Sequence, residues 1–419
     1  MNRGNLTGLG HGFAVYWSAA LVSSLGSGVS LVALPLLAAI TLHAQGEEVG
    51  VLRAAESAPY IALALVAGVL ADQLPPRHLM IAADLARGLL LGLIPVLALT
   101  RVLTLPMLIG LAACVGTFTV LFDVAQFSLL RDLVDRDHLL DANKAMELVR
   151  GGSSVLGPSL GGALVAALRT YGAVVVDAVS YLASALLLVT LPVARAGEPR
   201  RGGRARGRGS VWSGARLVLA DPFLRPMTLY LGLNNLINQA FMTAVVVFLA
   251  ISLRAGPASV GLVFGAFGAG FCAGAAVAAR AGRALGLGWT VCLSSVLGAL
   301  GILIVAVSPA STGATGTGIA MTGTALVGLS GPLFNVQSVT LRLAITPAGL
   351  LGRVNAMVKL VSQGAVSLGA LLGGFLITVI AVREAFATLS AMSLAATAIL
   401  ALSAIRGLRR PPAGRPGDP

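Results

Sequence analysis

Four acidic residues lie in stretches of the sequence that are otherwise apolar. In order of expectation they are Glu147, Glu56, Asp123 and Asp177. A carboxyl group held away from water can take up and release a proton near neutral pH, because burial disfavours its charged form. These acids are therefore candidates for coupling proton movement to another process. The alternative is that they pair with Arg53, Arg150 or Lys359 and only hold the structure together.

A second set of polar residues consists of side-chain amides. Asn234, Asn235, Asn238 and Gln239 fall in the segment LGLNNLINQAF, and a spacing of four places them on one broad helical face. Such a face is costly against lipid and suits a polar cavity. Further candidates for the same cavity are Asn335, Gln337, Gln126 and Lys359. Neutral amides beside a few acids favour an amphipathic organic molecule as the ligand.

Helices that cross a membrane must position these residues. The chain is 57% hydrophobic and 11% charged, and its apolar runs reach about 20 residues, the length that spans a bilayer as a helix. Backbone groups in hydrocarbon are satisfied only in helices or closed barrels, and these continuous runs lack the alternating pattern of barrel strands. The predicted fold class is an all-α membrane protein with twelve transmembrane helices in two pseudo-symmetric six-helix bundles.

The apolar runs also predict the domain boundaries. The predicted spans are 13–42, 48–71, 78–100, 104–130, 142–168 and 171–193, followed by 225–250, 257–281, 287–308, 316–341, 349–380 and 384–405. The first bundle takes residues 1–193 and the second takes 222–406. A basic linker, 194–221, contains RRGGRARGRG and a short surface helix from Val211 to Leu219, and 407–419 form a tail.

An internal repeat relates the two halves. Gly157, Gly161 and Gly162 recur 212 positions later as Gly369, Gly373 and Gly374, and half of 419 residues is close to that offset. The same offset carries the sequence LFDV at 121–124 onto LFNV at 333–336. A run of matches at one offset indicates a duplicated half.

The placement of charge predicts the topology and the partners. The net charge of +13 is concentrated in the linker and the tail, which puts both termini in the cytoplasm of a cell-membrane protein. A lipid-headgroup role for the basic loop is the alternative, and nucleic acid is not an expected partner. Asp84 and Arg87 are interpreted as an ordinary ion pair at the cytoplasmic rim. The three cysteines have no ligand spacing, so we expect neither a disulfide nor a metal site. We also expect no cofactor, and we expect a monomer.

The loop between the second and third spans, GVLADQLPPRHLM, resembles a signature of the major facilitator superfamily. Gly68, Asp72 and Arg77 match that signature, whereas Pro75 and Pro76 stand where Gly and Arg are usual. The resemblance implies two six-helix bundles that work by alternating access. It also implies that Asp72 caps the start of the eleventh span and latches one transport state.

The fifth span is similar to the antiporter signature of the same superfamily. The matching residues are Gly157, Pro158, Gly161 and Gly162. Small residues at this spacing also let two membrane helices approach closely, and both interpretations can hold. The segments LVDRDHLLDANKA and GARLVLADPFLRPM resemble the macrolide-efflux and enterobactin-exporter branch. The resemblance implies efflux of a small molecule in exchange for protons.

The sequence leaves several functions open. Transport by ATP hydrolysis within the chain is not expected, because neither Lys144 nor Lys359 follows the glycine that a phosphate-binding loop requires. The expected function is proton-coupled efflux of drug-like amphipathic molecules. The alternatives are a dedicated exporter of one self-made natural product or siderophore and, more remotely, a transport-inactive receptor or scaffold. An enzyme is not expected, since the four histidines lie at helix ends or in loops.

Overall fold

The computed structural model describes residues 10–134, 138–191, 211–249, 256–308, 314–347 and 350–409. Across these ranges the chain is helical and contains no strand. The helices group into two units, Met1–Ala44 with Ala55–Arg206 and Gln45–Ala54 with Gly207–Pro419. This architecture confirms the predicted all-α class. The exact boundaries predicted for the bundles, the linker and the tail stay predictions.

The first six membrane helices follow the predicted spans within a few residues. They are α1 (Gly10–Leu36, extended by a π-helical turn Leu37–Thr41), α2 (Gly46–Gln73), α3 (Pro76–Leu99), α4 (Leu105–Leu133) and the element Leu139–Thr190, which contains α5 and α6. Proline stands in the first turn of α3 and of α4, where its missing N–H has no helical partner to lose.

The element Leu139–Thr190 is two helices that meet at Arg169. That residue has φ 62° and ψ 175°, which is not helical, so we call 139–168 α5 and 170–190 α6. At 52 residues the element is too long for one crossing, because 20 residues of helix already span the hydrocarbon. The break therefore agrees with the predicted separation of the fifth and sixth spans.

The second six membrane helices are preceded by a short helix, Val211–Ala220, as predicted. They are α7 (Leu224–Val247), α8 (Pro257–Leu285), α9 (Leu287–Ala306), α10 (Ala314–Ile345), α11 (Leu351–Val379) and α12 (Val382–Ala401), with a 3₁₀ turn at Ala404–Gly407. Asp221 begins α7 by accepting hydrogen bonds of 2.9 Å from the backbone N–H groups of Phe223 and Leu224. A carboxylate at this position is also stabilised by the positive end of the helix dipole.

Nine segments of the described chain are long and apolar enough to cross a membrane. One of them, Asp141–Thr190, contains both α5 and α6. The remaining two membrane helices are α2, with 28 residues, and α7, with 24 residues, and α7 carries the four predicted amides. The count of twelve follows, and it identifies a multi-pass membrane protein.

Equivalent helices of the two halves pack in the same way. In the first unit α1 packs against α5 and α6, and α3 packs against α4 and α6. In the second unit α7 packs against α11 and α12, and α9 packs against α10 and α12. The second unit also includes the start of α2, where the Glu47 N–H donates to Thr378 Oγ1 of α11 at 3.0 Å. The packing reproduces the duplication predicted from the glycine repeat.

The backbone at Arg169 generates a prediction about stability. The φ and ψ values of Arg169 lie in a region that is accessible almost only to glycine, and holding another residue there costs about 1–3 kcal/mol. We expect Arg169→Gly to raise the free energy of unfolding by about 1 kcal/mol. Thermal unfolding of the purified protein in detergent measures the change.

Arg169→Ala is the matched control. Alanine keeps the Cβ and therefore the backbone strain, while it removes the same charge. We expect no stabilisation from it. An equal gain in both variants would mean that the arginine charge, and not the backbone, is the source of the effect.

Candidate functional site

The core of the first unit contains three fully buried charged side chains. Asp84, Arg87 and Asp177 are 0%, 2% and 0% exposed. Asp177 lies on α6, and Asp84 and Arg87 lie on α3. Among the described residues, Asp221 is the other buried charged side chain, and it already accepts backbone hydrogen bonds at the start of α7. Ionisable groups in such positions are functional candidates, because burying a charge in a membrane protein is expensive.

Asp177 is surrounded by hydroxyl groups. Ser30 of α1 donates to Asp177 Oδ2, and Ser180 Oγ lies 3.1 Å from Asp177 Oδ1. Next to them, Ser27 Oγ and the Tyr181 hydroxyl are 2.8 Å apart. Sequence reasoning predicted Asp177 but not the serines. Their signal was present, since Ser27 and Ser30 occupy one face of α1, three residues apart.

The Asp84–Arg87 pair corrects one expectation. The two side chains form an ion pair, as predicted, but both are buried rather than exposed at a membrane rim. The guanidinium carbon of Arg87 lies 4.3 Å from the ring centre of Phe122 and 4.2 Å from that of Tyr181. A position near the end of α3 does not make these side chains exposed, because α4 and α6 cover this face of α3 with aromatic rings.

The other predicted acids have different surroundings. Glu56 and Asp123 are half-buried, and neither is without an interaction partner. The side chain of Glu147 lies outside the part of the chain that the structure describes. Of the four predicted acids, Asp177 is thus the one that the structure shows fully enclosed within its bundle.

The amides of α7 divide into two groups. Asn235 Nδ2 donates to Ser362 Oγ of α11 at 2.7 Å, so this amide joins two helices. Asn234 Oδ1 accepts a long hydrogen bond of 3.4 Å from the Tyr230 hydroxyl. Asn238 and Gln239 are half-buried, whereas Ile237 before them and Phe241 after them are buried. The helix therefore presents a partly accessible strip of amides beside an apolar packing face.

The remaining candidates of the predicted cavity are scattered. Gln337 of α10 is buried and donates from Nε2 to the Ala278 carbonyl of α8 at 2.9 Å, a contact that holds two helices together. Gln126 is also buried, while Asn335 and Lys359 are exposed. The alternative that Lys359 pairs with one of the predicted acids stays a prediction. The role of each residue in binding is likewise still a prediction.

The glycine motif of α5 lies against α1. A methyl group built on Gly157 would stand 2.7 Å from the Gly28 Cα, and one built on Gly161 would stand 2.9 Å from the Val29 carbonyl oxygen. Pro158 and Gly162, which neighbour these two glycines along α5, are also buried. In the second unit Gly369 and Gly373 of α11 take the equivalent place against Leu236 and Ala240 of α7, and Gly374 faces Gly50. The motif thus allows a close helix contact in each unit, as its small residues predicted.

The predicted loop signature is described only in part. Arg77 donates from Nε to the Leu188 carbonyl at 2.9 Å and from one terminal nitrogen to the Val189 carbonyl at 2.6 Å. These carbonyls belong to the last turn of α6, where a cation offsets unpaired acceptors and the helix dipole. Gly68 and Asp72 lie in α2 at positions whose side-chain surroundings are outside the described structure. The predicted latch role of Asp72 stays a prediction.

Comparison with known families identifies the family to which this chain belongs. The model of the family described as transmembrane secretion effector matches residues 8–410. The chain belongs to this family of major facilitator transporters. The multidrug efflux pump Tap of Mycolicibacterium fortuitum is 28% identical over 227 residues, which are 50% of this chain and 53% of that protein. The MFS-type transporter YfiS of Bacillus subtilis is 29% identical over 171 residues, which are 41% of this chain and 40% of that protein. The chain spans about half the length of the curated relatives it matches.

Solved structures of other transporters share the fold. The nucleoside transporter NupG superposes with a TM-score of 0.70 at 12% identity, covering 94% of this chain and 99% of that one. A bacterial homologue of the iron transporter ferroportin in an inward-facing state gives 0.72 at 17% identity, covering 93% and 97%. At these identities the likeness establishes the fold of this major facilitator transporter and nothing about its ligand.

The contact between Gly157 and Gly28 generates a second prediction. Because a Cβ at residue 157 would meet backbone atoms that cannot rotate away, we expect Gly157→Ala to lower the free energy of unfolding by about 1–3 kcal/mol. Thermal unfolding in detergent and the yield of folded protein in membranes measure this loss.

Gly152→Ala is the control within the same helix. A methyl group at that position would meet nothing within 4 Å, and alanine is the better helix former by about 0.5–1 kcal/mol. We therefore expect this variant to be as stable as the wild type or more so. Equal destabilisation of both variants would show that the close approach of α1 and α5 is not what requires Gly157.

Proposed function

We propose that this transporter is a secondary active exporter of drug-like amphipathic molecules, driven by exchange for protons and working by alternating access. The proposal places it in the cell membrane with both termini in the cytoplasm. Its partners are the small-molecule substrate, protons and the lipid bilayer, and it acts as a monomer. The relatives named as multidrug efflux pumps support the direction of transport, over the half of their length that matches.

The amide strip of α7 is the main observation that supports the proposed class of substrate. Asn238 and Gln239 are partly accessible on a helix whose other positions are mostly apolar and buried. Amides in lipid would leave donors and acceptors unpaired, so their accessible atoms fit a polar, water-exposed surface. Neutral donors and acceptors beside apolar side chains match molecules that are themselves amphipathic. We therefore assign substrate contact to this strip.

The two groups of amides give opposite predictions. Asn238→Leu should leave the fold intact and raise the half-saturating substrate concentration about threefold to tenfold, the equivalent of one lost hydrogen bond of about 0.5–1.5 kcal/mol. Asn235→Leu should instead lower the free energy of unfolding by about 1 kcal/mol, because it removes the bond to Ser362. Concentration-dependent transport and thermal unfolding, measured on both variants, separate the two roles. If Asn238→Leu changes only stability, the amide strip is a packing feature.

Vesicles with an imposed proton gradient test the transport proposal. Inverted membrane vesicles are made acidic inside, and lipophilic cations, macrolides and siderophores are added while a dye reports the internal pH. We expect several amphipathic compounds to discharge the gradient only when the protein is present. Discharge by one compound class alone would favour a dedicated exporter of a natural product or siderophore. Direct accumulation of labelled compound without any discharge would contradict proton exchange.

The four acids can be examined in the same vesicles. The variants are Glu147→Gln, Glu56→Gln, Asp123→Asn and Asp177→Asn. A carboxyl group that carries the exchanged proton loses that capacity as an amide, so we expect at least one variant to lose gradient discharge entirely while it remains folded and binds substrate. Retained discharge in all four variants would contradict a coupling role for these acids.

A further inference from the structure

Arginines at one end of the second unit have no acidic partner in the chain around them. From residue 222 to the end of the sequence, the acids are Glu384 and Asp418. Glu384 lies in the first turn of α12, about 30 Å of helix away from the basic 3₁₀ turn that follows α12. Asp418 lies outside the described residues. Within the described ranges, Arg406 and Arg409 after α12 form no ion pair.

Backbone contacts, and not these arginines, hold the turn after α12 in place. The Gly288 N–H of α9 donates to the Leu408 carbonyl at 3.0 Å. Ile405 is buried, and its carbonyl lies so close to Gly288 that a Cβ on the glycine would collide with it. The side chains of Arg406 and Arg409 are exposed and donate no hydrogen bond in the part of the chain that the structure describes. Their N–H groups are therefore available to a ligand.

Three exposed arginines lie around the turn between α8 and α9. Gly286 forms this turn with φ 85°, and a Cβ built on it would stand 3.0 Å from the Cα and 3.5 Å from the Cγ of Arg409. Arg283 lies three residues before Gly286, in the last turn of α8. The guanidinium carbon of Arg406 lies 5.1 Å from the centre of the Trp289 ring. Two segments that are remote in the sequence thus bring three positive charges and one indole ring to the same place.

Trp289 lies at the level of the membrane surface. It belongs to the first turn of α9, whose 20 residues have the length that spans the hydrocarbon. Tryptophan is enriched at this level, where a membrane helix leaves the hydrocarbon. Trp289 is 53% exposed, and Leu293, Leu300 and Leu303 continue the same exposed face along α9. An apolar face that suits acyl chains therefore ends at the group of arginines.

We propose that Arg283, Trp289, Arg406 and Arg409 bind the headgroup of an anionic phospholipid. The phosphate accepts hydrogen bonds from the guanidinium groups, and the acyl chains lie along the exposed leucines of α9. A guanidinium that stacks on a ring through its face keeps N–H donors at its edge, and these match the oxygens of a phosphate. A net positive site favours an anionic lipid over phosphatidylcholine, whose own choline group is positive.

The lipid site is independent of the proposed transport. Lipid binding requires neither a substrate nor a proton gradient, so the two proposals can fail separately. The site is also separate from the basic linker, because its residues belong to α8, to α9 and to the segment after α12.

Native mass spectrometry of the full-length protein, released from detergent, tests the site. Phosphatidylglycerol and phosphatidylcholine with identical acyl chains are titrated separately. We expect phosphatidylglycerol to bind about tenfold more tightly, since each arginine near a membrane surface strengthens the attraction of anionic lipid about fivefold. Equal binding of the two lipids would overturn the proposal. Displacement of phosphatidylglycerol by inorganic phosphate at the same concentration would show a site for any phosphate and would contradict its assignment to lipid.

Glutamine substitutions separate the site from general surface charge. Arg406→Gln and Arg409→Gln should each weaken phosphatidylglycerol binding about fivefold and leave phosphatidylcholine binding and thermal unfolding unchanged, because backbone contacts hold the turn. Arg225→Gln is the matched control. Arg225 is exposed at the start of α7, at the same end of the unit, since six successive crossings return the chain to one side. Equal weakening by all three variants would mean that net charge alone attracts the lipid and would overturn the site.

Fluorescence of Trp289 locates the lipid without any change to the arginines. Brominated acyl chains quench an indole that they contact, and the difference between the wild type and Trp289→Phe isolates the signal of Trp289. In phosphatidylcholine nanodiscs we expect a small fraction of brominated phosphatidylglycerol to quench Trp289 more strongly than the same fraction of brominated phosphatidylcholine. Equal quenching by the two lipids would show that no anionic headgroup is held beside Trp289.

Discussion

An ionised side chain inside a bilayer must find its compensation within the protein, because hydrocarbon supplies neither water nor counterions. In the first unit this constraint determines how four helices meet. Arg87 of α3 pairs with Asp84 and lies between the rings of Phe122 from α4 and Tyr181 from α6. Asp177 of α6 in turn receives a hydrogen from Ser30 of α1. The charged core therefore joins α1, α3, α4 and α6 through polar contacts as well as apolar packing.

The second constraint is that neighbouring helices must approach closely, and both units meet it with glycine. In lipid no hydrophobic force drives helices together, so association depends on van der Waals contact between surfaces that fit closely. Gly157 against Gly28 in one unit and its equivalent Gly369 against Leu236 in the other provide that fit. The duplicated motif is thus explained by packing alone, whatever further part it plays in transport.

The two halves have kept this packing but have diverged in their polar residues. At the offset of 212, Asp177 corresponds to Leu389 and Arg87 corresponds to Ala299, whereas the amide Asn238 corresponds to Gly26. One unit therefore carries buried charges without the amide strip, and the other carries the strip without those charges.

The sequence by itself determined the class, the number of helices and the repeat, because the length and apolar character of a membrane helix are local properties of the chain. It also singled out Asp177 and the amides of α7, since a polar residue in an apolar run is visible without any knowledge of its neighbours. Only the tertiary structure decided that Arg87 is buried, that Asn235 bonds to α11 while Asn238 stays accessible, and that serines of two helices enclose Asp177. These facts depend on which face of each helix meets another helix, and a pattern that records depth along a helix does not contain that information.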